Sequence, residues 1–216
     1  MIDSYKHQGL RKQLVEIIRQ KGIKDENVLL AIGNIPRHFF LDSTFQTHAY
    51  EDKAFPIGSG QTISQPYTVA FQSELLQIKK RDKVLEVGTG SGYQACVLLE
   101  LGATVYTIER QKALFMKTKS FLPTIKYMPK MFYGDGYKGL PAFAPFDKII
   151  VTAGAPDIPM KLLDQLKPGG RMVIPVGQTD VQHMICIDKN ADGSLVKTDH
   201  GTFRFVPLLE NKAEDK

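Results

Sequence analysis

Val84 to Tyr93 constrains this 216-residue chain more than any other stretch. An apolar, β-branched run, Val84-Leu85-Glu86-Val87, ends in three glycines spaced two apart: Gly88, Gly90 and Gly92. A helix-compatible segment follows from Gln94 to Leu101. Strand, glycine turn and helix in that order build a nucleotide-cofactor site. Glycine lets the backbone turn sharply and approach a ligand closely. The free amides at the start of the next helix face that ligand. The dinucleotide fingerprint G-x-G-x-x-G, which seats a pyrophosphate on the helix, has its third glycine one place later. Here the spacing is G-x-G-x-G, with Glu86 ahead of the turn.

That pattern, Gly88-Thr89-Gly90-Ser91-Gly92, resembles the first motif of the class I S-adenosyl-L-methionine (AdoMet) methyltransferases. AdoMet has no phosphate; it offers an amino acid head, a sulfonium, a ribose and an adenine. A second strand, Thr104 to Ile108, ends at Glu109, seventeen residues beyond Gly92 and followed by Arg110. A carboxylate at that position can accept hydrogen bonds from both ribose hydroxyls.

The chain is long enough for one α/β domain with a full core. Apolar content of 43% and charged content of 24% are those of an ordinary globular protein. No uncharged apolar run approaches ~18 residues, so no membrane span is expected. Asp3, Lys6 and His7 stand where a signal peptide would have its apolar region, and a cytoplasmic protein is expected. Cys96 and Cys186 are far apart and form no metal-type pair, so no metal is expected. The 28 basic residues behind the net charge of +5 are scattered. They read as a weak attraction for anionic substrates rather than a nucleic-acid footprint.

In chain order, Leu10, Leu14, Ile17 and Ile18 predict a helix over 5–21 that stops at Gly22. Asp25 is placed to cap a second helix, which Ile35-Pro36 breaks. His38, beside Phe39 and Phe40, reads as structural. Tyr50 to Pro66 is polar, with little apolar periodicity, and reads equally as a loop that lids a site or as a surface loop whose Ser and Thr merely cap and turn; Pro66 opens a helix to Ile78, with Ser64 or Gln65 near its cap. Further strands are expected over Lys130–Tyr133, at a sheet edge because of Pro129, and over Asp147–Thr152 and Arg171–Val176. Val181 to Asp188 and a strand within Leu195 to Pro207 should pair around Asn190–Gly193. The charged tail from Glu210 to Lys216 is expected to fray. The fold predicted is a doubly wound, mostly parallel seven-stranded α/β sheet. Residues 1–65 form a helical subdomain and active-site loop within a single 1–216 domain. The strand ends at Gly88, Glu109, Asp135 and Thr152-Ala153 should converge on one crevice.

Over nearly its whole length the sequence resembles the protein-L-isoaspartate O-methyltransferases. The resemblance rests on Pro56 to Pro66 (Pro-Ile-Gly-Ser-Gly-Gln-Thr-Ile-Ser-Gln-Pro), the glycine motif, Gly134-Asp135-Gly136, Phe146 to Ala153, Leu166 to Gly170 and Arg204 to Leu208. It implies a repair enzyme that uses AdoMet to methylate isoaspartyl proteins and peptides; a monomer acting without nucleic acid or membrane is expected. It implies Ser64 as the active-site serine, and Gln61, Thr62 and Ile63 over the methionine end of AdoMet. Glu86, Gly88, Thr89, Gly90 and Gly92 belong to the turn that holds the amino acid head. Glu109 and Arg110 fall at the ribose, and Asp135 and Gly136 at the adenine edge. Thr152, Ala153, Ala155, Arg204, Val206, Pro207 and Leu208 line the peptide side. None of the five histidines falls in these segments, so no histidine is expected to act as a general base.

Rival readings must explain the same residues. A nucleic-acid adenine methyltransferase would carry an Asn- or Asp-Pro-Pro-aromatic motif after the fourth strand to hold an extruded base. The chain has Thr152-Ala153-Gly154-Ala155-Pro156 there. A metal-dependent small-molecule O-methyltransferase would want clustered carboxylates, for which Asp157 alone is a poor candidate. A degenerate cofactor fold used only for binding is disfavoured by the intact Ser64 loop.

Overall fold

The computed structural model describes residues 2–213. Two amphipathic helices open the chain, α1 (Tyr5–Gln20) and α2 (Glu26–Asn34). Asp25 caps α2 by accepting from the amides of Asn27 and Val28, as its position predicts. The segment expected to be an irregular lid is instead a hairpin of β1 (Phe55–Gly58) and β2 (Gln61–Ile63). Ile57 and Ile63 point into the core shared with α1 and α2, while Gly58, Ser59 and Gly60 all take positive φ at the turn. Alternating apolar residues around a permissive turn explain the hairpin; its density of hydroxyl and amide groups hides the pattern in the sequence.

Helix α3 (Pro66–Leu76) starts at Pro66 as expected, but neither Ser64 nor Gln65 caps it through its side chain. Asp52 does so from upstream. One carboxylate oxygen accepts from the Tyr67 amide at 2.8 Å, and the other from Gln65 Nε2 at 2.9 Å and Lys21 Nζ at 2.6 Å. A single half-turn of polar chain therefore fixes both the helix start and the residues just before it.

The main sheet follows: β3 (Lys83–Val87), α4 (Tyr93–Glu100), β4 (Thr104–Glu109), α5 (Lys112–Phe121), β5 (Lys130–Tyr133), β6 (Phe146–Val151), α6 (Met160–Asp164), β7 (Leu166–Val176), β8 (Gln182–Lys189) and β9 (Leu195–Phe203). Its order is β5-β4-β3-β6-β7-β8-β9. The first five strands run parallel and the last two add antiparallel in chain order, an arrangement the sequence leaves open. β5 lies at the edge, as Pro129 predicts. β7 begins five residues earlier than expected, because Leu166 pairs with Phe146 and the Lys167-Pro168-Gly169-Gly170 run is taken up as an irregularity before Arg171. Residues 214–216 of the charged tail lie outside the described residues.

One core cluster joins α1, α2 and the hairpin to Tyr93, Cys96 and Val97 of α4 and Leu114 of α5. The N-terminal helices thus hold the hairpin against the first helix after the glycine turn. Removing the Asp52 side chain should uncap α3 and leave the half-buried Tyr67 amide unpaired. We expect Asp52→Ala to lower stability by about 1–3 kcal/mol, read by urea denaturation.

Candidate active site

The chain leaves β3, runs outward through β4 and β5, and returns through β6 beside β3. The crevice at that reversal is where open α/β sheets bind ligands. The glycine turn fills it. Gly88 has φ +100°, and a Cβ there would sit 2.4 Å from Thr152 Oγ1. The Thr152 hydroxyl donates to the carbonyls of Gly88 at 2.7 Å and Val87 at 3.1 Å, clamping the ends of β3 and β6 together. Only glycine permits both that approach and that backbone conformation. From the other side the Glu109 carboxylate accepts from the Gly90 amide and the Gln111 amide, both at 2.8 Å. Each oxygen keeps a second lone pair for a ligand.

A cleft opens above the turn. Of the residues expected at the site, Gln61, Thr62, Ile63, Ser64, Gly88, Thr89, Gly90, Glu109, Arg110, Gly136, Thr152, Ala153, Val206, Pro207 and Leu208 all line it. Segments separated by more than a hundred residues therefore meet at one place. The C-terminal wall is held by Gly154, whose amide donates to the Val206 carbonyl and whose carbonyl accepts from Leu208.

Five expected residues do not line the cleft. Asp135 accepts from the Tyr137 amide at 2.9 Å, capping a short helical turn, while its neighbour Gly136 reaches the wall. Gly92 serves packing, since a Cβ there would meet Leu122 and Thr118 at 2.9 Å. Ala155 is buried, its amide bonded to the Pro175 carbonyl. Arg204 lines a neighbouring groove. Glu86 lies within the sheet, 0% exposed, between Thr107 of β4 and Ile150 of β6.

Conversely, Val69, Ser91, Tyr93, Gln94 and Leu209 line the cleft without having been singled out. Ser91, Tyr93 and Gln94 follow directly from the motif, because the first turn of α4 must face whatever the glycines face. No histidine lines the cleft, while His200, outside the segments expected at the site, lines the neighbouring groove. His38 is buried in the N-terminal subdomain, 2.7 Å from the Tyr50 hydroxyl, as its structural reading implies.

The electrostatics of the cleft select its ligand. Its one basic side chain among the described residues, Arg110, is turned to the carbonyls of Glu210 and Asn211. Glu109 presents a carboxylate, and Gln94 Oε1 is a buried acceptor without a partner. An acceptor-rich cleft with no free cation among the described residues suits the α-ammonium and the sulfonium of AdoMet. It is the wrong donor set for a pyrophosphate.

Residues 9–213 match the family described as protein-L-isoaspartate(D-aspartate) O-methyltransferase. The chain belongs to that family. The protein-L-isoaspartate O-methyltransferase of Christiangramia forsetii is 65% identical over 98% of this chain and 100% of its own, and that of Flavobacterium johnsoniae is 62% identical over the same shares. Among solved structures, a protein-L-isoaspartate O-methyltransferase superposes with a TM-score of 0.84 at 30% identity, covering 93% of this chain and 66% of that one. A Plasmodium falciparum chain assigned the same activity, solved with S-adenosyl-L-homocysteine, superposes at 0.79 and 26% identity, covering 93% and 99%. The isoaspartate methyltransferase fold therefore accounts for the seven-stranded sheet and the N-terminal helices together.

Beneath the turn, Glu86 has no hydrogen-bond partner on either carboxylate oxygen. Burial pushes its carboxyl up from near 4.5 to about 8; the Thr107 hydroxyl, itself bonded to Thr89 Oγ1 at 2.6 Å, opposes that, and repulsion from Glu109 adds to it. Folding therefore favours protonated Glu86. As pH rises past the unfolded value, folding must take up a proton, and stability falls until the folded value is passed. We expect Glu86→Gln to remove this dependence. Its melting temperature relative to the parent should climb between about pH 5 and about pH 8, and a constant difference across that range would contradict the assignment.

Proposed function

We propose that this chain transfers the methyl group of AdoMet to the free carboxylate of L-isoaspartyl residues in damaged proteins and peptides. The observation that carries the reading is that Gln61 to Ser64, at the end of the hairpin, face the same cleft as the glycine turn and Glu109. A carboxylate nucleophile held at Ser64 would then stand beside the cationic end of the cofactor.

Glu109 would accept from the ribose hydroxyls, the glycine turn would leave room for the amino acid head, and Gln94 Oε1 would take its ammonium. Gly136 leaves room for the adenine. When bound, AdoMet supplies an electrophilic methyl on a sulfonium. The isoaspartyl carboxylate is ionised at neutral pH, so no side chain has to remove a proton. Ser64 instead donates a hydrogen bond that aims the carboxylate along the line of attack, with reacting atoms about 3 Å apart. The hairpin closes the cleft against water, and opposite charges that fade in the transition state gain from that exclusion. The ester product has a better leaving group than the acid. The following backbone nitrogen can close a succinimide without the enzyme, and hydrolysis returns some normal aspartate.

The same reading takes the chain to act as a monomer. No helix among the described residues is long and apolar enough to cross a membrane, and Cys96 and Cys186 are free and buried, which suits a reducing cytoplasm. The loop after β6 offers neither the amide nor the aromatic ring that an extruded base requires.

Turnover on an isoaspartyl peptide and on its normal-aspartyl twin tests the function: the first should be methylated and the second hardly at all. Glu109→Gln should weaken AdoMet by ~1.5–3 kcal/mol in calorimetry and leave peptide KM little changed. Ser64→Ala should lower kcat without altering the shape of the pH profile. The appearance of a new ionisation in that profile would mean that Ser64 takes part in proton transfer.

A further inference from the structure

A second groove of about 790 Å³ runs on from the cleft and shares Thr62, Ser64, Thr152 and Val206 with it. Ser64 stands where the two join, so a peptide whose isoaspartyl carboxylate sits there has this groove beside it. One wall is an aromatic ladder. Tyr67 and Phe71, four residues apart on α3, stack with ring centroids 5.7 Å apart at 29°. Phe71 stacks on Phe203 of β9 at 5.1 Å and 30°, and His200 meets Phe71 edge-on at 6.4 Å and 75°. All four rings are half-buried. Phe71 and Phe203 rest on the core under α3 and β8 while also lining the groove, so the ladder is held rigid from behind. Among the described residues no acidic side chain lines the groove, whereas His200 and Arg204 do.

We propose that this ladder is a specificity subsite that receives one side chain flanking the isoaspartate, of aromatic or large aliphatic type, and disfavours a cationic one. The inference rests on the isoaspartate methyltransferase reading and adds to it which damaged sequences are repaired fastest. Stacked, pre-ordered rings bury an incoming apolar side chain at small entropic cost. The ladder does not touch the reacting atoms, so its contribution is to binding and belongs in KM rather than kcat. The absence of a carboxylate leaves a lysine or arginine in the groove without a partner beside Arg204 and His200, a repulsive choice.

The test is methyl transfer by the full chain to a set of isoaspartyl peptides on an alanine scaffold. Each carries Phe, Leu, Ala or Lys at one of the three positions before or after the isoaspartate. One position should prefer Phe and Leu over Ala by about tenfold in kcat/KM, carried in KM, with Lys the poorest there. Phe203→Ala and Tyr67→Ala should each shrink that preference to about twofold while the affinity for S-adenosyl-L-homocysteine stays unchanged. A scan of the parent protein that is flat within about twofold at all six positions overturns the subsite, whether or not either variant folds. So does a preference that both folded variants retain in full. Failure to methylate any of the peptides would instead remove the underlying function and the subsite with it, an outcome distinct from uniform methylation of all of them.

Discussion

The ends of β3 and β6 can approach as closely as they do only because Gly88 has no side chain. The Thr152 hydroxyl occupies the space a Cβ would need, at 2.4 Å, and bonds the carbonyls of Val87 and Gly88. That clamp lies at the one place in the sheet where the strand order reverses, and everything that lines the cleft is referred to it. Glu109 fixes the other side of the turn by accepting the Gly90 amide at 2.8 Å. A carboxylate that lines the cleft thus also shapes the loop beneath it. Loss of its charge would loosen the turn as well as the ligand, which is why affinity and stability should be measured on the same variant.

The hairpin is coupled to this turn through the N-terminal helices. Arg37 is wholly buried, donates to the Lys53 carbonyl at 3.2 Å, and lies 4.9 Å from the ring of Tyr93 at the start of α4. Burial lowers its pKa to about 10, the ring of Tyr93 and the carboxylate of Asp52 opposing that, so it remains charged at neutral pH. A buried cation is costly unless its surroundings compensate. Here the compensation is partial: Nε and Nη1 have no partner, and the Lys53 carbonyl, the Tyr93 ring and the Asp52 carboxylate lie on the two elements that must stay aligned, the approach to the hairpin and the first helix after the glycine turn. Asp52, next to Lys53, in turn caps α3 and holds Gln65. The N-terminal region therefore acts as a brace that sets where Ser64 stands.

Charge is distributed to suit a cation and an anion meeting in a cleft sheltered from water. The acceptors Glu109 and Gln94 face the cofactor end, and the neighbouring groove carries Arg204 and His200 but no carboxylate among the described residues. An anionic substrate entering by the groove and a cationic cofactor seated on the turn each meet complementary walls. Glu86, buried directly below, favours the protonated state and so adds no full negative charge to this balance at neutral pH.

Much of this was legible in the residues. The apolar run before Gly88, the spacing of the glycines and the position of Glu109 determined the first βαβ unit and the kind of ligand it holds, because local backbone freedom and strand length dictate them. The Gln61 to Ser64 stretch could be recognised as site-forming, and β5 as an edge strand, from Pro129. Other features depended on contacts between distant residues. That β1 and β2 pair, that Asp52 rather than Ser64 caps α3, and that Glu86 and Asp135 turn away from the cleft while Gln94 turns into it are each decided by which partner packs against them. The aromatic ladder is the clearest case. Tyr67 and Phe71 have helical spacing that any core stripe would show, and Phe203 sits in a strand more than a hundred residues later. Local chemistry is written in neighbouring residues. A surface shared by α3 and β9 exists only once the antiparallel end of the sheet folds back beside the helix, and only the tertiary structure decides that.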